Sequence, residues 1–198
     1  MSKDTKSRIL ETALKMFSEK GYEGTNIREL SAALGLSKAA FYKHYESKEE
    51  IWNTVMQEMT DYYNEKFGSL KNMPEIPKST AELKALTMGM LNFTINDEKV
   101  IITRKILLTQ QFRDESVCKL ATEHFNTGLE SIFTVIFKGM MENGSLKKCD
   151  PAMLAFAYTA PVSSLIHLCD REPEKKTEVI KKAEEFIDHF SKIYRGIK

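Results

Sequence analysis

Residues 35–50 of the chain read GLSKAAFYKHYESKEE, and two helix starts lie within this stretch. Ser37 and Ser47 occupy predicted N-cap positions, where a hydroxyl accepts a hydrogen bond from the first turn of a helix. Ser47 is followed three positions later by a glutamate, which completes a capping box. Phe41 and Tyr45 are four residues apart and are predicted to share the buried face of a short helix that stops near Tyr45.

The outward face of this short helix carries Lys38, Ala39, Tyr42 and Lys43 on one stripe, directed away from Phe41. A helix of about seven or eight residues is only marginally stable in water. The lysines and the tyrosine on its exposed face therefore call for an explanation other than helix formation. Lysine can donate to guanine acceptors, and an alanine methyl can meet the methyl group of thymine. The face therefore indicates a helix that enters a DNA major groove.

The preceding sequence predicts the partner helices of this element. A helix is predicted over residues 5–20, with Gly21 in the position of a left-handed C-cap. Asn26 is a predicted N-cap that opens a second helix, and Gly35 ends it. Two short helices joined by the tight turn 35–37 form a helix-turn-helix, whose second helix is the one that reads DNA.

The pattern remains helical to the end of the chain, which predicts an all-α fold of about nine helices. The expected organisation is a three-helix DNA-binding domain at 1–50 and a helical-bundle domain for ligand binding and dimerisation at 51–198. A linking helix is predicted at 48–67 and a proline-containing joint at 68–79. The helices predicted after the joint cover residues 80–95, 97–112, 114–143, 151–169 and 174–195.

Composition favours a globular protein in a reducing compartment. The net charge is +1, so the whole chain is not basic, but residues 1–48 carry nine Lys or Arg against six Asp or Glu, as expected if this segment meets a polyanion. The three cysteines form no CxxC pair. The polar start does not resemble a signal peptide, and no long apolar run predicts a membrane span. We expect a cytoplasmic protein with no membrane partner.

The run GYEGTNIRELSAALGLSKAAFYKHYESKEEI, residues 21–51, closely resembles the DNA-binding segment of the TetR (tetracycline-repressor) family of bacterial regulators, and the resemblance covers residues 5–51. It implies a homodimer that binds a palindromic double-stranded DNA operator and is released by a small-molecule inducer. Ala40 departs from the family, whose members often have a hydroxyl there, so base readout is expected to depend on Lys38 and Lys43. The DNA contacts that the resemblance implies are Thr25, Asn26, Ser37, Lys38, Ala39, Ala40, Tyr42, Lys43, His44 and Lys48.

The predicted C-terminal domain contains the candidate ligand pocket. Arg104 lies in a segment that is apolar nearly all round, and either reaches the surface along its stem or anchors an anionic inducer. Aromatic residues with polar tips supply the other candidates. The proposed ligand-binding residues are Phe93, Arg104, Leu108, Phe112, His124, Phe125, Tyr158 and His167.

The last two helices carry more apolar residues than one side of a small bundle needs, which predicts a dimer interface. Two copies would also present two DNA-reading helices about 34 Å apart, as a two-fold symmetric site requires. The proposed interface residues are Leu154, Tyr158, Leu165, Val179, Ala183, Phe186, Ile187 and Phe190.

Two other classes of function are alternatives to a ligand-responsive repressor. An enzyme is disfavoured, because Ser163, His167 and Asp170 lie within one helix, where a serine has no oxyanion donors. No metal site or cofactor motif is recognised, so no cofactor is expected. The alternative that stays open is a helical protein-interaction adaptor without specific DNA binding. The same DNA contacts would serve an activator, and the repressor is the favoured form.

Overall fold

The structure, a computed structural model, describes residues 2–67 and 73–196, with the side chains of 4–66 and 73–196. Residues 68–72 of the predicted joint lie outside this range. The described chain is helical, which confirms the predicted all-α fold. Its α-helices are α1 Ser2–Gly24, α2 Ile27–Ala33, α3 Lys38–Phe41, α4 Lys48–Phe67, α5 Thr80–Asn96, α6 Glu98–Gln110, α7 Glu115–Thr122, α8 Gly128–Glu142, α9 Pro151–Arg171 and α10 Lys176–Tyr194.

The helix starts that the sequence predicts are formed by side-chain caps. The Asn26 amide oxygen accepts from the Glu29 backbone N–H at 2.9 Å. The Ser37 hydroxyl accepts from the Ala40 N–H at 3.1 Å, and the Ser47 hydroxyl accepts from the N–H three residues later at 3.0 Å. Each cap satisfies one of the backbone donors that a helix leaves without an internal partner.

Residues 115–142 are two helices and not the single helix predicted over 114–143. A π-helix, Glu123–Thr127, separates α7 from α8. Gly128 follows directly, and a Cβ at this position would lie 2.6 Å from the Glu123 carbonyl oxygen. Glycine therefore allows the wider turn to close, because any larger residue would collide with the backbone of the turn before it.

The chain divides into two compact units. The N-terminal unit comprises Met1–Asn64 and Glu98–Cys118, and the C-terminal unit comprises Glu65–Asp97 and Lys119–Lys198. The N-terminal unit thus extends beyond the predicted domain boundary at residue 50. It also takes in α6 from the middle of the sequence, because α6 packs along α1.

Aromatic side chains dominate the core of the C-terminal unit. The ring of Tyr158, on α9, is fully buried and lies 5.2 Å from each of the rings of Phe133 and Phe137 on α8, centroid to centroid. The ring of Phe190, on α10, is 4.5 Å from the same tyrosine ring. These helices therefore form one hydrophobic core, to which α5 contributes Leu83.

Candidate nucleic-acid interface

The element α3 is anchored by one buried aromatic face. Phe41 is fully buried and Tyr45 is 4% exposed, so the helix is fixed to the body of the N-terminal unit by these two side chains. Burial and the neighbouring carboxylate of Glu58 raise the pKa of the Tyr45 phenol, which keeps this anchor uncharged. Regular helix covers only Lys38–Phe41, and the turn that follows completes the predicted seven or eight residues.

The opposite face of α3 is open to solvent. Lys38, Ala39 and Lys43 are exposed, and 41% of the surface of Tyr42 is accessible. The Lys38 ammonium lies 5.8 Å from the centre of the Tyr42 ring, a distance at which a cation and an aromatic face attract each other. Among the described residues, no carboxylate lies within ion-pair distance of Lys38 or Lys43. Both positive charges are therefore available to an external anion.

The turn between α2 and α3 has the backbone conformation that the sequence predicts. Gly35 has a φ of 66°, in the left-handed region that favours glycine. Its N–H donates to the Ala32 carbonyl at 3.1 Å, and the Leu36 N–H donates to the Ser31 carbonyl at 2.9 Å. These bonds close α2, and the Ser37 cap then starts α3 in a new direction, as in a helix-turn-helix.

Thr25 is placed differently from the prediction. It is only 2% exposed, and its hydroxyl donates to the Gly21 carbonyl at 2.9 Å. The side chain therefore closes the end of α1, and the expectation that it contacts DNA is wrong. The cause is Gly21, whose φ of 73° and ψ of 176° interrupt α1 and leave a carbonyl that needs a donor.

Sequence reasoning left Arg28 out of the candidate contacts. This arginine lies on α2, two residues after the Asn26 cap, and is exposed. The neighbouring Glu29 already has a partner, because Lys20 donates to its carboxylate at 2.6 Å and lowers its pKa. The signal was present in the sequence, since the apolar residues Ile27 and Leu30 place residue 28 on the outward side of α2.

Part of the predicted ligand set is brought together in the C-terminal unit. The ring of Phe125, in the π-helix, lies 5.2 Å from both the His124 and the His167 rings, edge to face in each case. Phe93 is half-buried in the same unit. Tyr158 belongs instead to the aromatic core described above.

The other predicted ligand residues, Arg104, Leu108 and Phe112, belong to the N-terminal unit. Phe112 is 90% exposed in the turn after α6, so the expectation that it lines an enclosed pocket is wrong. Arg104 is 2% exposed, so the alternative in which it reaches the surface is also wrong.

Most of the predicted dimer residues are buried in the core of their own chain. Leu154, Tyr158, Val179, Ala183, Ile187 and Phe190 are all buried within the C-terminal unit. Leu165 and Phe186 are partly buried against the same core. The buried members of this set therefore cannot form an interface with a second copy, because α5, α9 and the Phe137 ring of α8 already cover the apolar face of α10.

The solvent-facing side of α9 is apolar. Its exposed residues recur at helical spacing and form what we call the α9 stripe: Met153, Phe156, Ala157, Ala160 and Pro161. α9 is also long and apolar enough to cross a membrane by length and composition alone. Core helices of globular proteins meet the same criteria.

The comparison with known proteins agrees with the geometry of α2 and α3. Residues 9–55 match the family described as bacterial regulatory proteins, tetR family. The biofilm operon icaADBC HTH-type negative transcriptional regulator IcaR of Staphylococcus epidermidis is 38% identical over 58 residues, which are 29% of this chain and 31% of IcaR. The IcaR of Staphylococcus aureus strain Newman is 29% identical over 104 residues, 52% of this chain and 53% of IcaR.

A solved structure extends the similarity to the whole fold. The TetR-family transcriptional regulator from Cytophaga hutchinsonii superposes with a TM-score of 0.66 at 17% identity, covering 100% of this chain and 97% of that one. By sequence, residues 9–55 match the TetR family. The matches span about a third to about half of the length of these curated relatives.

The family matched by residues 9–55 consists of regulatory proteins, in agreement with the expectation that this chain is not an enzyme. Within the described residues, no group of three or more His, Cys, Asp or Glu is arranged to hold a metal ion.

Proposed function

We propose that this TetR-family chain is a cytoplasmic transcriptional repressor that binds a two-fold symmetric DNA operator as a homodimer and is released by a small molecule. The observation that carries the proposal is the division of α3 into two faces. Phe41 and Tyr45 are buried, while the face with Lys38, Tyr42 and Lys43 is exposed. The name of IcaR, a negative transcriptional regulator, supports repression over activation.

In this proposal α3 lies in the major groove of the operator. Lys38 and Lys43 donate to guanine O6 and N7, and Ala39 and Ala40 let the backbone approach the base edges. Tyr42 and His44 donate to phosphate oxygens beside the groove. Backbone N–H groups at the capped start of α2, near Asn26, add donors to the phosphate backbone, as does the Ser37 turn. The exposed Arg28 is a further candidate for a phosphate contact.

The homodimer in this proposal is formed by the α9 stripe and not by the buried residues of α10. A short α3 reads few bases, so a specific site requires two copies whose α3 helices are separated by about one duplex turn, ~34 Å. The α9 stripe supplies what a second copy needs, since it combines an exposed phenylalanine and methionine with alanines that let two helices approach closely. Burial against a second copy also accounts for the hydropathy of α9 without a membrane.

For the inducer we propose a site in the C-terminal unit beside Phe93, His124, Phe125 and His167. The Phe125 ring and the two imidazoles present apolar surface and polar edges at one place, as small-molecule sites commonly do. The inducer releases DNA only if it binds more tightly to the arrangement of the dimer that does not fit the operator.

The experiment that tests the function is selection of duplexes by the purified full-length chain from a pool of random DNA. We expect enrichment of one two-fold symmetric sequence, with half-sites separated by about one duplex turn. Affinity for that duplex should fall steeply with salt, by about 0.9 log units per log unit of salt for each phosphate neutralised. If a folded, dimeric chain enriches no sequence, the regulator proposal is wrong and the adaptor alternative takes its place.

A further inference from the structure

Lys48, the first residue of α4, makes two contacts with Tyr22 near the end of α1. Its ammonium donates to the Tyr22 backbone carbonyl at 2.9 Å. The same ammonium lies 4.1 Å from the centre of the Tyr22 ring, close enough for a favourable cation–π interaction. The two residues are 26 positions apart in the sequence, and the whole of α2, the turn and α3 lies between them.

The end of α1 is a favourable place for this cation. Carbonyl groups in the last turn of a helix have no internal partner, and the negative end of the helix dipole lies there. α1 has no basic residue in its own last turn. The Thr25 hydroxyl donates to the Gly21 carbonyl. The Tyr22 carbonyl accepts from the Thr25 N–H at 3.3 Å and also from the Lys48 ammonium, which brings a positive charge to this helix end. Lys48, on α4, therefore acts as a cap at the C-terminal end of α1.

The Tyr22 ring also links the end of α1 to α4 through Trp52. It packs on Trp52, with ring centroids 5.2 Å apart, and Trp52 also lies 4.9 Å from the ring of Phe17 on α1. Trp52 is 3% exposed and is the only tryptophan of the chain. The contacts among Lys48, Tyr22 and Trp52 thus close the base of the segment that carries α2 and α3.

We propose that Lys48 is a positioning residue for DNA binding, which holds the two ends of the helix-turn-helix segment together through Tyr22 and does not itself contact phosphate. The proposal rests on the function proposed above and replaces the direct DNA contact that family resemblance implies for this lysine. Closing the base of the segment removes conformational freedom that α3 would otherwise lose on entering the groove.

Three measurements distinguish a positioning role of Lys48 from a direct phosphate contact. The first is the salt dependence of affinity for the selected duplex. Lys48→Met keeps the apolar stem and removes the ammonium. We expect about tenfold weaker binding, because a hydrogen bond to a charged donor is lost, with the salt slope of the unchanged chain. Lys43→Met is the matched control. The control weakens binding as well, because the base contact proposed for Lys43 is lost. Arg28→Met, which removes a proposed phosphate contact, should lower the slope by about 0.9.

The second measurement needs no DNA. Because Tyr22 packs on the single tryptophan, Lys48→Met should shift the emission of Trp52 in the free protein, whereas Lys43→Met should leave it unchanged. Thermal unfolding should show coupling between the two residues. The double variant Lys48→Met, Tyr22→Leu should lose less melting temperature than the sum of the losses in the two single variants, because each single change already removes the same cation–π contact. The Trp52 emission and the melting temperatures do not depend on whether the chain binds an operator.

The third measurement is rescue. Lys48→Arg can still donate to the carbonyl and lie over the ring, so it should restore the emission and most of the affinity at an unchanged slope. The proposal is overturned if Lys48→Met lowers the salt slope by about 0.9 with an unaltered Trp52 emission, since the lysine is then a phosphate contact. Additive melting losses in the double variant overturn it as well.

Discussion

The phenol oxygen of Tyr158 and the hydroxyl oxygen of Thr87 lie 2.8 Å apart in the buried core of the C-terminal unit. The Thr87 hydroxyl also donates to the Leu83 carbonyl at 2.9 Å, within α5. A threonine hydroxyl has one hydrogen, so the Tyr158 phenol must be the donor of the bond between the two side chains. The bond therefore has a direction, and the two partners are not equivalent.

This direction predicts unequal effects of removing each partner. Thr87→Val leaves the Tyr158 O–H buried without an acceptor, and we expect a loss of about 1–3 kcal/mol in the free energy of unfolding. Tyr158→Phe removes the donor and leaves a hydroxyl that is still bonded to Leu83, so about 1 kcal/mol is expected. Urea unfolding of both variants checks the order. A larger loss in Tyr158→Phe would contradict the assignment of the donor.

The same tyrosine predicts how stability changes in alkaline solution. Burial raises the pKa of Tyr158 above its ordinary value of 10.0. Since the folded state holds the phenolic proton more tightly than the unfolded state, this contribution to stability is complete below pH ~10 and declines as the pH rises through the folded-state pKa. Unfolding free energies measured from pH 8 to 12 should fall less steeply for Tyr158→Phe than for the unchanged chain.

Lys43 is predicted to contribute to operator affinity through direct contact. Lys43→Ala should weaken binding to the selected duplex by about 1–3 kcal/mol if the lysine meets a base edge, and should relax the preference at one position of each half-site. Lys181→Ala on α10 removes the same charge from an exposed position of the C-terminal unit and is the control. Fluorescence anisotropy with labelled duplex measures both, and equal affinities for the two variants would remove Lys43 from the interface.

Gly21 and Gly35 both have positive φ but are predicted to tolerate alanine differently. Gly21 has a φ of 73° and a ψ of 176°, a region open almost only to glycine, and an added Cβ would lie 2.9 Å from the Gln110 side-chain nitrogen. Nothing lies within 4 Å of a Cβ at Gly35. Gly35→Ala should cost about 1–2 kcal/mol of strain, and Gly21→Ala should cost more. Melting temperatures of the two variants test the order.

The α9 stripe predicts which exposed aromatic residue matters for assembly. Phe156 is 54% exposed on α9, and Phe112 is 90% exposed in the turn after α6. Phe156→Glu should convert a dimer to a monomer at micromolar concentration, because a charge would be buried at the proposed interface. Phe112→Glu should leave the dimer intact. Sedimentation equilibrium distinguishes them, and an unchanged mass for Phe156→Glu would move the interface elsewhere.

The sequence was sufficient for features that depend on a few neighbouring residues. Asn26, Ser37 and Ser47 cap helices as predicted, because a cap requires only its own side chain and the N–H groups of the next turn. The two faces of α3 follow in the same way from the four-residue spacing of Phe41 and Tyr45.

Features that depend on distant parts of the chain could not be predicted. The apolar residues of α10 gave the correct buried face, but its partner is the core of the same chain, and periodicity does not identify the partner. The role of Thr25 depends on the interruption of α1 at Gly21. Likewise, the inclusion of α6 in the N-terminal unit follows from packing on α1 and leaves no local signal.

The π-helix between α7 and α8 determines where this chain can change its length. A turn closed by bonds to the fifth residue holds one residue more than an α-helical turn. Loss of one residue, such as the exposed Asn126, would convert Glu123–Thr127 to an ordinary turn and leave Ile132 and Phe133 facing the core. A deletion within α8 itself would instead rotate one side of the helix by about 100°. Homologues one residue shorter in this segment should carry their gap at the π-helix.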